Sequence, residues 1–364
     1  MSRLLAHGMG TEPVAPDWPP LTEAEVEEVV GPARVLWRSP RPLSAAALVE
    51  REGQRLFVKR HHRSVRTPAG LAEEHAFLRH LRGRGAPVVE VLATARRGEW
   101  VYEVHSAGVG TDLYQDALSW SPFRSEGHAR AAGAALAGLH LAAEGFTAPR
   151  RRPQPLVSSF TVFAGTDPLA ALEEYVAERP SLAAALAGRP WRDDVRRVHI
   201  PFHRRLAPYL PGLEPLWTHN DWHASNLLWD DSAGEVSTVL DFGLSDRTTA
   251  VHDLATAIER NTVQWLEPSF PVRLDQVDAL LDGYTSVRPL RPGESTALPE
   301  LLPLVHAEFA LSELGYFHGV TGSAENADLA YDYFVGHAEW FGTTDGVRLL
   351  EHVRHRVTVG QPMT

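Results

Sequence analysis

His219-Asn-Asp221-Trp-His223-Ala-Ser-Asn226-Leu-Leu-Trp229, followed by Val239-Leu-Asp241-Phe-Gly243, sets three oxygen-bearing side chains at short spacing around two apolar runs. Leu227 to Trp229 and Val236 to Leu240 read as strands, and Asp230-Asp-Ser-Ala-Gly234-Glu between them reads as a turn. A hairpin of that size brings its ends together. Asn226 and Asp241 can then share one divalent ion, and hard oxygen ligands suit magnesium better than zinc. Asp221 adds a carboxylate on the loop before the hairpin. A carboxylate at an attacking hydroxyl, with metal ligands beside nucleotide phosphates, is what phosphoryl transfer requires.

Upstream, Lys59 is the only lysine in a chain with 34 arginines. A lone lysine against that bias marks a site needing a compact ammonium on a flexible stem, where a planar guanidinium does not fit. It ends the third of three short runs with strand character: Val35 to Trp37, Ala46 to Val49 and Leu56 to Lys59. Pro68 opens a helix in which Leu71, Glu74, Leu78 and Leu81 share a face, and Gly83 and Gly85 close it. Strands are expected at Val88 to Ala93 and Trp100 to His105, and helices dominate beyond, including a small-residue helix over Ala129 to Ala142. The expected organisation is an irregular, Pro-rich tail (1–22), a sheet-plus-helix lobe (23–105), a hinge (106–110) and a larger helical lobe (111–364), with a ligand between the lobes.

With 364 residues, 44% hydrophobic and 22% charged, the chain has the composition of a soluble globular protein. A net charge of −11 argues against broad nucleic-acid or anionic-membrane binding. No apolar stretch reaches membrane-spanning length, and the start has no basic-then-apolar signal pattern, so a cytoplasmic location is expected. The absence of cysteine excludes disulfides, thiolate catalysis and Cys-based zinc sites.

His-x-Asp-x-x-x-x-Asn followed by Asp-Phe-Gly resembles the catalytic core of the aminoglycoside phosphotransferase superfamily, which includes choline and homoserine kinases and a bacterial protein kinase branch. The resemblance implies an α+β, two-lobed protein-kinase-like fold and transfer of the γ-phosphate of ATP, with Mg²⁺, to a hydroxyl. By this resemblance Asp221 accepts or orients the hydroxyl proton, Asn226 and Asp241 hold Mg²⁺, and Lys59 holds phosphate, oriented by an ion pair with Glu74. Glu73 beside it is the alternative partner. His219 and Asp253 would fix the catalytic loop, and the backbone from Val104 to Ser106 would face adenine. His223 is a weaker candidate for substrate contact, Leu136-Ala-Gly-Leu-His140 resembles the helix before the catalytic loop, and His140 is expected to be packed in the core.

Some features depart from the superfamily pattern. The turn Arg38-Ser-Pro-Arg-Pro-Leu-Ser44 has no glycine, Asn220 stands where glycine is common, and no long phosphorylatable loop follows Gly243. Arg150-Arg-Arg152 reads as an exposed basic turn. The acceptor stays open between a small hydroxyl-bearing molecule (amino alcohol, sugar or antibiotic), which is favoured, and a Ser/Thr peptide. Glu73-Glu-His-Ala-Phe-Leu resembles the protein kinase branch, and Gly283-Tyr with Arg288-Pro-Leu-Arg-Pro-Gly-Glu294 resembles homoserine kinases. From another class, a metal-dependent hydrolase would use His219, Asp221, His223, Asp241, His252 and Asp253 as a two-metal cluster. A catalytically dead kinase-like module would have lost the base, a metal ligand or the lysine, and all are present.

Overall fold

Alternation along the strands decides how the first lobe is layered. The computed structural model describes residues 16–359 apart from 42, 116 and 231–233; most of the expected tail and the centre of the hairpin turn lie outside the described residues. Helix α1 (Glu23–Val30) leads into β1 (Arg34–Arg38), β2 (Ala45–Arg51) and β3 (Gln54–His62). Helix α2 (Pro68–Gly83), β4 (Val91–Arg97) and β5 (Trp100–Ser106) complete an antiparallel sheet of order β1-β2-β3-β5-β4. Leu56 and Val58 of β3 join Tyr102 and Val104 of β5 in a small core that Leu21, Val26 and Val30 close from outside. Residues of opposite parity face the cleft, so Lys59, paired in register with Glu103, lies on the other face.

Residues 16–22, ahead of α1, are irregular yet docked. Trp18 stacks on His62 at 5.2 Å and donates from its indole nitrogen to the Tyr316 hydroxyl at 3.1 Å, tying the sheet to the second lobe. The strand expected from Val88 begins instead at Val91 and runs to Arg97. Val88 forms an isolated parallel bridge with Val239, and β4 is an edge strand whose exposed polar second half carries no apolar signal.

The second lobe contains α3 (Glu126–Ala143), α4 (Pro168–Ala177), α5 (Pro180–Leu186), α6 (Trp191–Asp194) and α7 (Ile200–Leu206). Strands β6 (Pro215–Thr218), β7 (Leu227–Trp229), β8 (Val236–Val239) and β9 (Asp246–Thr249) form two small ribbons, β6 with β9 and β7 with β8. Helices α8 (Ala250–Thr262), α9 (Leu274–Val287), α10 (Pro292–Leu301), α11 (Ala307–Tyr316), α12 (Ala324–Trp340) and α13 (Thr344–Val359) follow. The small residues of α3 let it press against α9. A Cβ at Gly133 would sit 2.1 Å from the Leu280 carbonyl oxygen, and one at Gly283 would sit 1.9 Å from that of Arg130. No helix among the described residues is long and apolar enough to cross a membrane.

Candidate active site

The loop after β6 is held from behind by one carboxylate. Asp253, in the first turn of α8, accepts the His219 and Asn220 amide protons at 2.8 Å each. His140 of α3 bonds the same carboxylate at 3.1 Å and the Tyr284 hydroxyl of α9 at 2.8 Å, so this packed core histidine links three helices behind the loop. The His219 ring spans the loop: Nε2 donates to the Leu240 carbonyl at 2.8 Å and Nδ1 accepts from the Asp221 amide at 3.1 Å. That pairing defines a neutral tautomer and joins the loop to the residue before Asp241. Asn220 takes φ +60°, in the left-handed region. Its amide donates to the Ser158 and Leu244 carbonyls and accepts from Thr218 and Thr248.

Asp221, Asn226, Asp241 and Lys59 come together. The Asn226 amide nitrogen donates to the Asp221 carbonyl at 2.9 Å and to its carboxylate at 3.1 Å, which leaves the amide oxygen as the available ligand atom. Leu240 donates its amide proton to the Asn226 carbonyl at 2.8 Å, which brings Asp241 to the same end of the hairpin. Lys59 Nζ bonds Asp241 Oδ1 at 2.9 Å. Burial alone would raise the Asp241 carboxyl, but the Lys59 ammonium outweighs it and holds the group below its usual range. Burial likewise pulls Lys59 down, and the carboxylates of Asp241, Glu103 and Glu74 more than restore it.

The Lys59–Glu74 ion pair expected from the sequence is not made. Glu74 is buried on the inner face of α2, where Arg151 approaches it at 3.5 Å. Arg151 is therefore no exposed basic turn: it is 5% exposed and also donates to the carbonyls of Gly70, Gly243 and Ser245. Arg66 donates to the Gly243 carbonyl from the other lobe at 3.1 Å. Two guanidinium groups thus fix the turn after Asp241, and the neighbouring Glu73 lies 3.9 Å from Arg152. The crossing segment differs as well. Ser106 donates its amide proton to the Glu90 carbonyl and accepts the Glu90 amide proton, both at 2.9 Å, and the Val104 side chain lies in the outer core. Val109 is bound to Ser237 and Thr238 of β8.

His223 is buried, 3.6 Å from Asp221 Oδ1 through its Nε2 and 2.9 Å from the Ser225 hydroxyl through its Nδ1. His219, Asp221, His223, Asp241, His252 and Asp253 do not converge as a two-metal cluster: Asp253 bonds backbone amides and His140, and the His252 ring packs on Phe160. Among the described residues, the two-metal cluster that the hydrolase alternative requires is therefore not formed by these six groups.

Residues 43–290, which contain every group described above from Lys59 to Asp253, match the model of the phosphotransferase enzyme family. The chain belongs to that family. It is 29% identical over 289 residues to an uncharacterized protein of Deinococcus radiodurans, covering 77% of this chain and 76% of that one. It is 34% identical over 187 residues to a homoserine kinase of Methylobacterium, and the match spans about half of each chain (51% and 51%). Among solved structures, Plasmodium vivax ethanolamine kinase aligns with a TM-score of 0.54 at 9% identity over 87% of this chain and 83% of that one, a likeness of fold.

In this phosphotransferase the sequence reading missed two arginines near Asp221 and Asp241. Arg260 of α8 donates to Asp221 Oδ1 and is buried. A signal existed: α8 is buried throughout, and Arg260 follows Asp253 by seven residues, two helical turns along the same face. Arg41, in the turn without glycine, reaches across to Ser119 at 2.7 Å and lies within electrostatic range of Asp221 and Asp241. Burial would raise the Asp221 carboxyl; the charges of His223 and Arg260 hold it well below its usual range. Burial also lowers His223 itself, so near neutral pH Arg260 is the cation Asp221 faces.

Proposed function

We propose that this enzyme moves the γ-phosphate of ATP, with Mg²⁺, to a hydroxyl of a small molecule that carries an ammonium group. The observation that carries the reading is the assembly of Asp221, Asn226, Asp241 and Lys59 at the mouth of one hairpin. The oxygen-only set of Asn226 and Asp241 fits a magnesium ion, which when bound supplies charge neutralisation at the nucleotide phosphates. Lys59 would move from Asp241 to phosphate, as a compact ammonium on a flexible stem can. Arg41 would reach phosphate from above. Asp221, ionised by its surroundings, would orient the acceptor hydroxyl and take its proton as the oxygen bonds to phosphorus.

The acceptor chemistry is supported by the wall behind Asp221. Glu313 Oε2, Arg260 Nη2 and the Tyr333 hydroxyl are buried without hydrogen-bond partners. Burial pushes the Glu313 carboxyl up to about 8, with Arg260 opposing. An ammonium at Glu313 would satisfy that oxygen and restore its charge. The homoserine kinase relatives suit this reading, since their named substrate is an amino acid bearing a hydroxyl.

The test is Mg-dependent release of ADP from ATP, for wild type and Asp221→Asn, over amino alcohols, hydroxy amino acids, aminoglycosides, neutral sugars and Ser/Thr peptides. Stimulation by an amino-bearing small molecule, lost in Asp221→Asn, is expected. Stimulation by peptides alone would move the acceptor to proteins, stimulation by neutral sugars alone would remove the role of Glu313, and failure to bind Mg-ATP would overturn the proposal.

A further inference from the structure

Behind Lys59, on the same sheet face, three imidazoles close on one carboxylate. Glu103 is directly opposite Lys59 in the β3–β5 register, and His105 lies two residues further along the same face of β5. His75 comes from α2, immediately after Glu74. His75 Nε2 is 2.5 Å and His105 Nε2 is 3.2 Å from Glu103 Oε2. His61 Nε2 bonds the other carboxylate oxygen, Oε1, at 2.7 Å. His75, Glu103 and His105 are 4%, 1% and 5% exposed. Glu103 also supports the charge of Lys59, but the three imidazoles have no part in the site described above, and among the described residues His75, Glu103 and His105 are the one set of three ligand atoms that converge, all within 4.8 Å of one another.

We propose that His75, Glu103 and His105 form a binding site for a divalent transition ion of the zinc type, cross-linking α2 to the sheet behind the nucleotide lysine. Two imidazole nitrogens and one carboxylate oxygen are the ligands that zinc accepts, whereas Mg²⁺ demands oxygen donors. The enzyme therefore carries a nitrogen-rich site and an oxygen-only site that select different ions. Bonds of about 2.1 Å to a tetrahedral ion set ligand atoms roughly 3.4 Å apart, so the cluster needs adjustment on the order of 1 Å.

The surroundings suit a metal centre. His61 occupies the carboxylate oxygen that the ion would leave free, orienting Glu103 from the outer shell. The Thr94 hydroxyl lies 3.5 Å from His75 Nδ1, on the side of the ring opposite the ion. Enclosure of all three ligands assigns the ion a structural role, joining α2 to β5.

The experiment strips wild-type protein with a chelator and titrates it with Zn²⁺ by calorimetry, and with Co²⁺ by visible absorption, in excess Mg²⁺. One equivalent of tight Zn²⁺ binding is expected, with a Co²⁺ spectrum of imidazole ligation and a raised melting temperature. His75→Gln and His105→Gln should weaken Zn²⁺ at least about 100-fold, and His61→Gln about 10- to 100-fold. Asp241→Ala should leave zinc binding intact, which separates this site from the nucleotide centre. Wild-type affinity in His75→Gln, or loss of binding in Asp241→Ala alone, would overturn the proposal. The Co²⁺ spectrum of wild type decides independently of whether any variant folds: no imidazole-ligated spectrum would also overturn it.

Discussion

Arg260 and Asp221 form an ion pair at the floor of the cleft, with the guanidinium 1% exposed and lying over the rings of Trp120 and Phe309 at 5.2 and 5.1 Å. A carboxylate tied to a buried arginine stays ionised throughout the neutral range. In the proposed transfer, Asp221 would then work less as a base poised near neutrality than as a fixed anion that aims the hydroxyl and receives its proton late.

Arg260→Met should raise the Asp221 carboxyl and bring an acidic limb into the pH profile of kcat/KM that wild type lacks above pH ~5. The sign follows from the depressed folded-state group: its contribution to stability is present above the unfolded value of about 3.9 and is lost as pH falls through the lower folded value. Removing one partner of a buried pair also costs about 3–5 kcal/mol, read by urea unfolding. A variant with wild-type stability and an unchanged pH profile would refute the coupling.

Lys59→Arg should lower kcat/KM about 100-fold or more although the charge is kept, because a planar fork does not reproduce the point contact made with Asp241 at 2.9 Å. Asp241→Asn should weaken Mg-dependent nucleotide binding and release Lys59 from its resting partner. Steady-state ADP release checks the first, and equilibrium binding of a fluorescent nucleotide, with and without Mg²⁺, checks the second.

The residues that meet as the sequence implied are those whose relations are local. Asp221, Asn226 and Asp241 fall within one loop and hairpin, so their spacing already implied their meeting, and Lys59 stood out by composition. Glu74 was placed on the right face of α2, but its partner is set by docking of the two lobes: Arg151 lies 77 residues away and takes the position assigned to the lysine. Arg260 is 39 residues from Asp221 and meets it only because α8 runs beneath the loop. The Glu103 cluster depends on the β3–β5 register and the rotation of α2 together, and neither periodicity alone brings His75 to His105.

Glu313→Gln should flatten the fall of stability between pH ~5 and 9. Burial raises the folded-state carboxyl to about 8, with Arg260 opposing and Asp221 adding to the rise. The native state then holds a proton that the unfolded chain has lost above roughly pH 4.3, so stability declines as pH rises through that window. Glu259, raised by burial to about 7, contributes in the same direction and stays in the variant, so the slope should shrink without vanishing. Melting temperature against pH measures this, and an amino-bearing acceptor should show a raised KM in the same variant.

Asn220 sets the path of the loop that carries Asp221 at φ +60°, and two substitutions separate its conformation from its contacts. Asn220→Gly accepts the left-handed backbone but removes the side-chain bonds to Ser158, Leu244, Thr218 and Thr248. Asn220→Ala removes the same bonds and adds strain of about 1–2 kcal/mol. Alanine should therefore be the less stable of the two by roughly that strain. Both should lose turnover more than nucleotide affinity, because the Asn220 amide proton on Asp253 at 2.8 Å survives while the aim of Asp221 loosens. Equal stability of the two variants by urea unfolding would show that the side-chain bonds, and not the backbone angle, are what asparagine supplies there.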